Sequence, residues 1–331
     1  MLRFTTLSLL AAAAFSAPAA AQVYLAQSDL VVIEMEASGA PEAWGISTAT
    51  PGYTGESYIR WNGPNLFNQP GQQGVFAFDF EVANGGTYRL NVRNRHENPD
   101  PTEENDVWIR MDGGTWVKTF SNQAGSVGAW TWESRFDYGH GNQPQASYNL
   151  SPGVHRVEFS GRSFGFKMDR VHIYLPSVSN ALDPNQPVSP QRFGQEYGQA
   201  VANSTGAIGR MQVTGSPVVT ENNVILTALD LPTDVPGFFI ASRTIGFTPN
   251  PAGSQGNLLL DGSIGRFDRL LNMTNPMGSA AVRIDLTEMP MPQGTSVAFP
   301  GETWHFQFWH RDTTSAGATS NFTSGISVVL Q

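Results

Sequence analysis

Three carboxylates stand out for their spacing. Glu34 and Glu36 lie two residues apart in LVVIEMEA (30–37), so on an extended strand both point to one face. Asp169 lies in GFKMDRVHIYL (165–175), the last strand-like run of the same half of the chain. If the first and last strands of a sandwich are neighbours, the three acids converge. Hard oxygen donors of this kind suit Ca2+, with backbone carbonyls and water completing the shell. Packed together without a cation they would repel and raise one another's pKa. On the spacing alone, three separately solvated acids are the plainer reading.

Patterns that would carry catalysis fail on context. Gly161-Arg162-Ser163-Phe164-Gly165 matches G-x-S-x-G, which needs a strand, a sharp turn and then a helix. The residues that follow alternate like a second strand, so the match reads as a hairpin turn. Glu103, Glu104 and Asp106 resemble a glycosidase acid/base group in composition, but carboxylates so close in one loop do not flank a glycosidic bond. The six His show no zinc spacing, and no phosphate-binding glycine loop is present.

The elements that position these residues are short strands. The chain has 331 residues, 34 Gly, 22 Pro and no Cys, with 14% charged and 11% aromatic residues. Absence of Cys excludes a disulfide scaffold and a thiolate zinc site. A net charge of −9 argues against a general nucleic-acid binder, because phosphate contacts need a basic surface. Residues 1–21 carry Arg3, an apolar run and Ala19-Ala20-Ala21, the pattern of a secretory signal peptide. No other run is long and apolar enough to span a bilayer. The protein is therefore expected to be secreted or periplasmic. Period-2 alternation recurs in 72–82, 87–95, 106–113, 154–162 and 165–175, with Gly-rich turns between. It places Phe76, Phe78 and Phe80 on one face, and likewise Tyr88, Leu90 and Val92, then Val107, Ile109 and Met111. Trp108 and Trp116, in strand context, are expected in the core. The stretch 177–192 holds Pro184, Pro187 and Pro190 and reads as a semi-rigid linker. The second half, 193–331, repeats the β style, with Trp304, Phe306 and Phe308 on one strand face and His305, Gln307 and Trp309 on the other. The expected class is all-β: two β-sandwich, jelly-roll-like modules, 22–176 and 193–331, joined by the Pro-rich linker.

The first half resembles a known family. IEMEA (33–37), Tyr53-x-Gly55, GTYRLNVRNR (86–95), DVWIRMDGGTW (106–116), LSPGVHRVEFSGR (150–162) and GFKMDRVHI (165–173) together look like a carbohydrate-binding module of the family 6 and family 35 type, a galactose-binding-like β-sandwich. The resemblance covers about residues 27–176. It implies a structural calcium on Glu34, Glu36 and Asp169, and a polysaccharide as partner. It also implies clamp aromatics in two loops, which match Tyr53 and Tyr58 in one and Trp130 and Trp132 in SNQAGSVGAWTWES (121–134) in the other. Rigid rings give a large contact area at small entropic cost. Many relatives carry Asn two residues before the closing Asp; here that position is Lys167, one of two lysines in the chain. A cation there can pair with the carboxylate or sulfate of an acidic sugar. The loop RNRHENPDPTEEND (93–106) adds Arg95, Glu104 and Asp106 to the ligand-binding candidates, and also reads as a long solvated loop.

The second half looks like a β-rich domain of secreted bacterial proteins without assigned activity. The expected function is non-catalytic glycan binding. Two alternatives stay open: a polysaccharide-degrading hydrolase or lyase or its accessory subunit, and a cell-surface adhesion or structural protein that contacts the envelope through its C-terminal module.

Overall fold

The computed structural model describes residues 22–100, 102–121, 127–139, 141–267 and 272–331. The expected signal segment 1–21 lies outside these residues, as do 122–126 in the loop before Trp130. The described chain is β throughout, broken only by short 3-10 turns. No described helix is long and apolar enough to cross a membrane.

Alternation does the sorting that the sequence implies. Phe76, Phe78 and Phe80 of Phe76–Val82, Tyr88, Leu90 and Val92 of Gly86–Arg95, and Val107, Ile109 and Met111 of Asp106–Met111 are all buried. They meet Ile33, Trp61, Phe159 and Ile173 in one core. One wall of this core runs Ser147–Leu150, Gly86–Arg95, Lys167–Tyr174, Tyr58–Trp61, Trp44–Ser47, and Leu30–Glu34 also pairs with Lys167–Tyr174. The other wall runs Phe76–Val82, Gly153–Ser160, Asp106–Met111, Val117–Phe120, Arg135–Asp137. Trp108 and Trp116 depart from expectation, because both are half-buried. Trp108 alternates with Val107 and Ile109 and so faces outward, its Nε1 donating to the Leu66 carbonyl at 2.9 Å. Trp116 lies under the Arg110 guanidinium, 4.5 Å from its carbon. The tryptophans of the two cores are Trp44, Trp61 and Trp304.

The second wall continues into the other half of the chain. Val23–Leu25 pairs in parallel with Phe76–Val82 and antiparallel with Gln191–Phe193. The sheet then runs through Arg210–Gly215, Val224–Leu229 and Ala280–Ile284, giving ten strands. Its far end packs on a second core, against Trp304, Phe306 and Phe308 of Thr303–Thr314 in a third sheet. Gly194, at φ +88°, turns the chain from one wall of this sandwich to the other. A Cβ there would sit 3.0 Å from the Ser327 carbonyl oxygen, so glycine is required by close approach as well as by φ. One shared sheet thus covers the strand edge that each sandwich would otherwise expose.

Residues 177–192 lie against the first sandwich. Ala181 packs with Leu30, Val32 and Tyr174. Ser189 and Val32 exchange two hydrogen bonds, at 2.9 and 3.0 Å. Arg170 Nη1 donates to the carbonyls of Pro184 and Gln186 at 2.8 and 3.0 Å. The strand Lys167–Tyr174 is buried along its whole length, and this segment covers Arg170, His172 and Tyr174 of it.

His172 of that strand lies beneath the segment. Its Nδ1–H donates to the Ala181 carbonyl at 2.6 Å, and its ring centroid is 4.4 Å from that of Trp132. Burial, with Arg170 and Arg93 nearby, pushes the imidazole down to about 4. The unfolded chain takes up this proton near pH 6.5, whereas the folded chain resists until about pH 4. Stability from this group is therefore full above pH 6.5 and lost as pH falls toward 4. His172→Gln is expected to narrow the gap between melting temperatures at pH 7.5 and pH 4.5; thermal unfolding of both proteins at the two pH values checks this.

Candidate functional site

The strand pairing of Leu30–Glu34 with Lys167–Tyr174 brings the three acids together, though not by the expected alternation. The strand ends at Glu34, and Glu36 belongs to a 3-10 turn, Met35–Ser38. Thr54 joins the group: its N–H donates to both Asp169 oxygens at 2.9 and 3.1 Å. Its hydroxyl lies 2.9 Å from Asp169 Oδ2 and 3.3 Å from Glu34 Oε2. Glu36 Oε1 accepts the N–H groups of Glu56 and Ser57, each at 3.2 Å. Gly55 separates the two glutamates: a Cβ there would come within 2.8 Å of Glu36 Oε1 and 3.0 Å of Glu34 Cδ.

Two guanidiniums neutralise two of the acids. Arg170 pairs with Glu34, and Arg93 with Asp169. Glu36 is the remainder. Burial first, and Glu34 next to it, push its carboxyl up to about 7. Its Oε2 is buried with no hydrogen-bond partner. Burial also raises Asp169, against the opposing pull of Thr54 and Arg93. Among the described residues, no three His, Cys, Asp or Glu side chains form a ready metal cluster. The oxygen left for a hard cation is Glu36 Oε2; Glu34 is engaged by Arg170 and Thr54, and Asp169 by Arg93 and Thr54.

The loop aromatics assemble beside this group. Tyr58 is fully buried, with its ring 5.9 Å from Tyr53 and edge-on to Trp130 at 5.3 Å. Trp130 is half-buried; its Nε1 donates to the Pro51 carbonyl at 3.0 Å, and the Arg93 guanidinium carbon lies 5.4 Å from its ring centre. Trp132 is set apart from this trio by its packing on His172. The segment holding both tryptophans is tied to the Gly86–Arg95 strand by a bridge between Thr131 and Asn94.

Next to the aromatics lies a row of cations. Lys167 is directly opposite Arg60 on one neighbouring strand and Arg95 on the other, so all three share the outer face of the sheet. Met168, adjacent to Lys167, is in the core. Lys167 Nζ reaches Glu97 Oε1 at 3.1 Å, and Arg95 Nε donates to the same oxygen at 2.8 Å. Arg60 donates to Asn62 Oδ1 at 2.6 Å and stacks over the exposed Phe164. Glu104 does not enter this row; its Oε2 accepts the backbone N–H groups of Glu97 and Asn98 at 3.2 and 3.0 Å. Arg60, Glu97 and Phe164 are not singled out by the sequence, whereas Arg93 belongs to the 93–106 loop that is. The alternation of Tyr58 with Arg60, and of Arg93 with Arg95, was the available signal; Glu97 and Phe164 had none.

Asp106 lies in a different environment. It is 2% exposed, paired with Arg162 and the Ser163 hydroxyl, and 3.9 Å from Lys118 Nζ. It cannot face a ligand. Ser163 of the G-x-S-x-G match is likewise buried, in the connection between Gly153–Ser160 and Lys167–Tyr174. Asp106→Ala is expected to cost about 3–5 kcal/mol, since it leaves the Arg162 charge buried and unpaired. Equilibrium urea unfolding checks this, with Asp106→Asn falling between the two.

No protein-family model matches the chain. A curated relative, "Uncharacterized protein P23" of Formosa agariphila, is 32% identical over 143 residues, 41% of this chain and 34% of that protein. The chain thus spans about a third of the length of the relative it matches. Among solved structures, the GH26-CBM35 β-(1,4)-mannanase of Podospora anserina is similar over 46% of this chain and 29% of its own, with 14% identity and a TM-score of 0.34. A native family 35 carbohydrate-binding module from Clostridium thermocellum is similar over 46% of this chain and 98% of its own, with 17% identity and a TM-score of 0.28.

Proposed function

We propose that the chain is an exported, non-catalytic glycan-binding protein whose first sandwich takes an anionic polysaccharide. One observation carries this reading: an aromatic group beside three cations, all on the outer face of one sheet. Trp130 offers a ring to the C–H side of a pyranose, held in place by Tyr58, which Tyr53 backs, and by its bond to Pro51. Arg60, Lys167 and Arg95 meet carboxylate or sulfate groups along the polymer. The resemblance to carbohydrate-binding modules of the family 6 and 35 type points the same way. Hydrolysis is disfavoured because Glu104 is spent on loop backbone and Asp106 is sealed in an ion pair.

Trp130→Ala is expected to weaken binding about tenfold, the size of one lost aromatic contact. Lys167→Met is expected to weaken binding of polygalacturonate more than that of its methyl-esterified form. Affinity electrophoresis in gels of each polymer reads both effects, and unchanged migration of both variants would exclude this face.

The same reading assigns calcium to Glu36, with Glu34 beside it able to join only by releasing Arg170. A cation there would partner the orphaned Glu36 Oε2 and offset the cost of burying that acid. Its part would be to stiffen the 49–57 loop that carries Tyr53, with no role in chemistry. Calcium at 1 mM is expected to raise the melting temperature by a few degrees, EDTA to reverse the rise, and Glu36→Gln to abolish it. Melting curves that coincide with and without calcium would show that Arg93 and Arg170 alone balance the acids.

A further inference from the structure

We infer that Glu97 is an internal stand-in for the ligand's acid group: it holds Arg95 and Lys167 in the free protein and must be displaced for an anionic glycan to engage them. The inference rests on the glycan reading of the same face and goes beyond it by naming the residue that sets the affinity threshold for charge.

Like charges directly opposite on adjacent strands destabilise a sheet. Arg60, Lys167 and Arg95 are such a row, so an anion is needed beside it. Glu97 supplies one carboxylate to two of the three, Lys167 and Arg95, while Arg60 donates to Asn62. The two sides of this ion pair differ in freedom. Lys167 and Arg95 are fixed in the sheet, with side chains 8% and 19% exposed. The Glu97 side chain is 43% exposed and belongs to the loop after the Gly86–Arg95 strand. Its main chain is held by Glu104, so the carboxylate can leave by side-chain rotation with the loop in place. Gly128 lies beside the pair: a Cβ there would stand 3.6 Å from Glu97 Oε2 and 3.9 Å from Arg95 Nη2, in ordinary van der Waals contact. A uronate carboxylate or a sulfate ester carries the same charge and the same acceptor oxygens as Glu97. Either would exchange with it while the neighbouring sugar rests on Trp130.

A partly exposed ion pair is worth about 1 kcal/mol, so abolishing the internal competitor should tighten binding several-fold. The test is calorimetric titration of wild type, Glu97→Gln, Glu97→Asp and Lys167→Met with three probes: oligogalacturonate, its methyl ester, and a sulfated dextran oligosaccharide. Glu97→Gln is expected to bind the acidic probes about threefold to tenfold tighter and the neutral ester unchanged. Glu97→Asp, whose shorter side chain spans the two cations poorly, should show a smaller gain and provides the test if the Gln variant folds badly. Without ligand, Glu97→Gln should melt lower than wild type, because Lys167 loses its carboxylate, and should gain more on adding oligogalacturonate. The carboxylate and sulfate arms identify which acid the row prefers. Equal or weaker acid binding by Glu97→Gln, with Lys167→Met still impaired, overturns the stand-in and leaves the glycan reading intact. A wild type that binds none of the three probes overturns both.

Discussion

The strand Lys167–Tyr174 is covered on both faces, and every charge on it has to be answered by a partner brought from elsewhere in the chain. Lys167 is met by Glu97, Asp169 by Arg93 and Arg170 by Glu34, at sequence separations of 70, 76 and 136 residues. A charge left unpaired in such a place would cost several kcal/mol. The sheet, the two loops above it and the segment 177–192 are therefore held in one arrangement by the same set of ion pairs. The candidate binding face is the outer surface of that arrangement.

A bulge makes the pairing possible. The register of Lys167–Tyr174 against Gly86–Arg95 shifts between Met168 and Arg170. Met168 and Val171, three residues apart, both reach the core, and the two residues between them find charged partners. A regular strand would have turned one of those charges inward. The bulge adjoins the cation row, so the local irregularity and the candidate ligand face occupy one end of one strand.

The two halves of the chain are joined by more than their connecting segment. Val23–Leu25 closes a single sheet across both cores, and Gly194 passes the chain between the walls of the second. Residues 177–192 add contacts over Leu30, Val32 and His172, where their backbone groups are satisfied by the first sandwich. The prolines that made this stretch resemble a linker serve here to stiffen a strap.

Much of this was legible in the residues. Alternation at 76–80, 88–92, 107–111 and 304–308 assigned the core faces, because a pleated strand sends successive side chains to opposite sides whatever its neighbours are. Glu34 and Asp169 of the IEMEA and GFKMDRVHI segments do meet through Thr54, but each is held by an arginine that the spacing of the acids does not disclose. Trp108 showed the limit of a type-based guess, since its own alternation already turned it outward. What the sequence left open was partnership. That Asp106 would be sealed by Arg162, that Lys167 would stand between Arg60 and Arg95, and that Glu97 would reach both cations depend on cross-strand register. Register is set by packing between distant segments, and only the folded chain brings those segments within reach of one another.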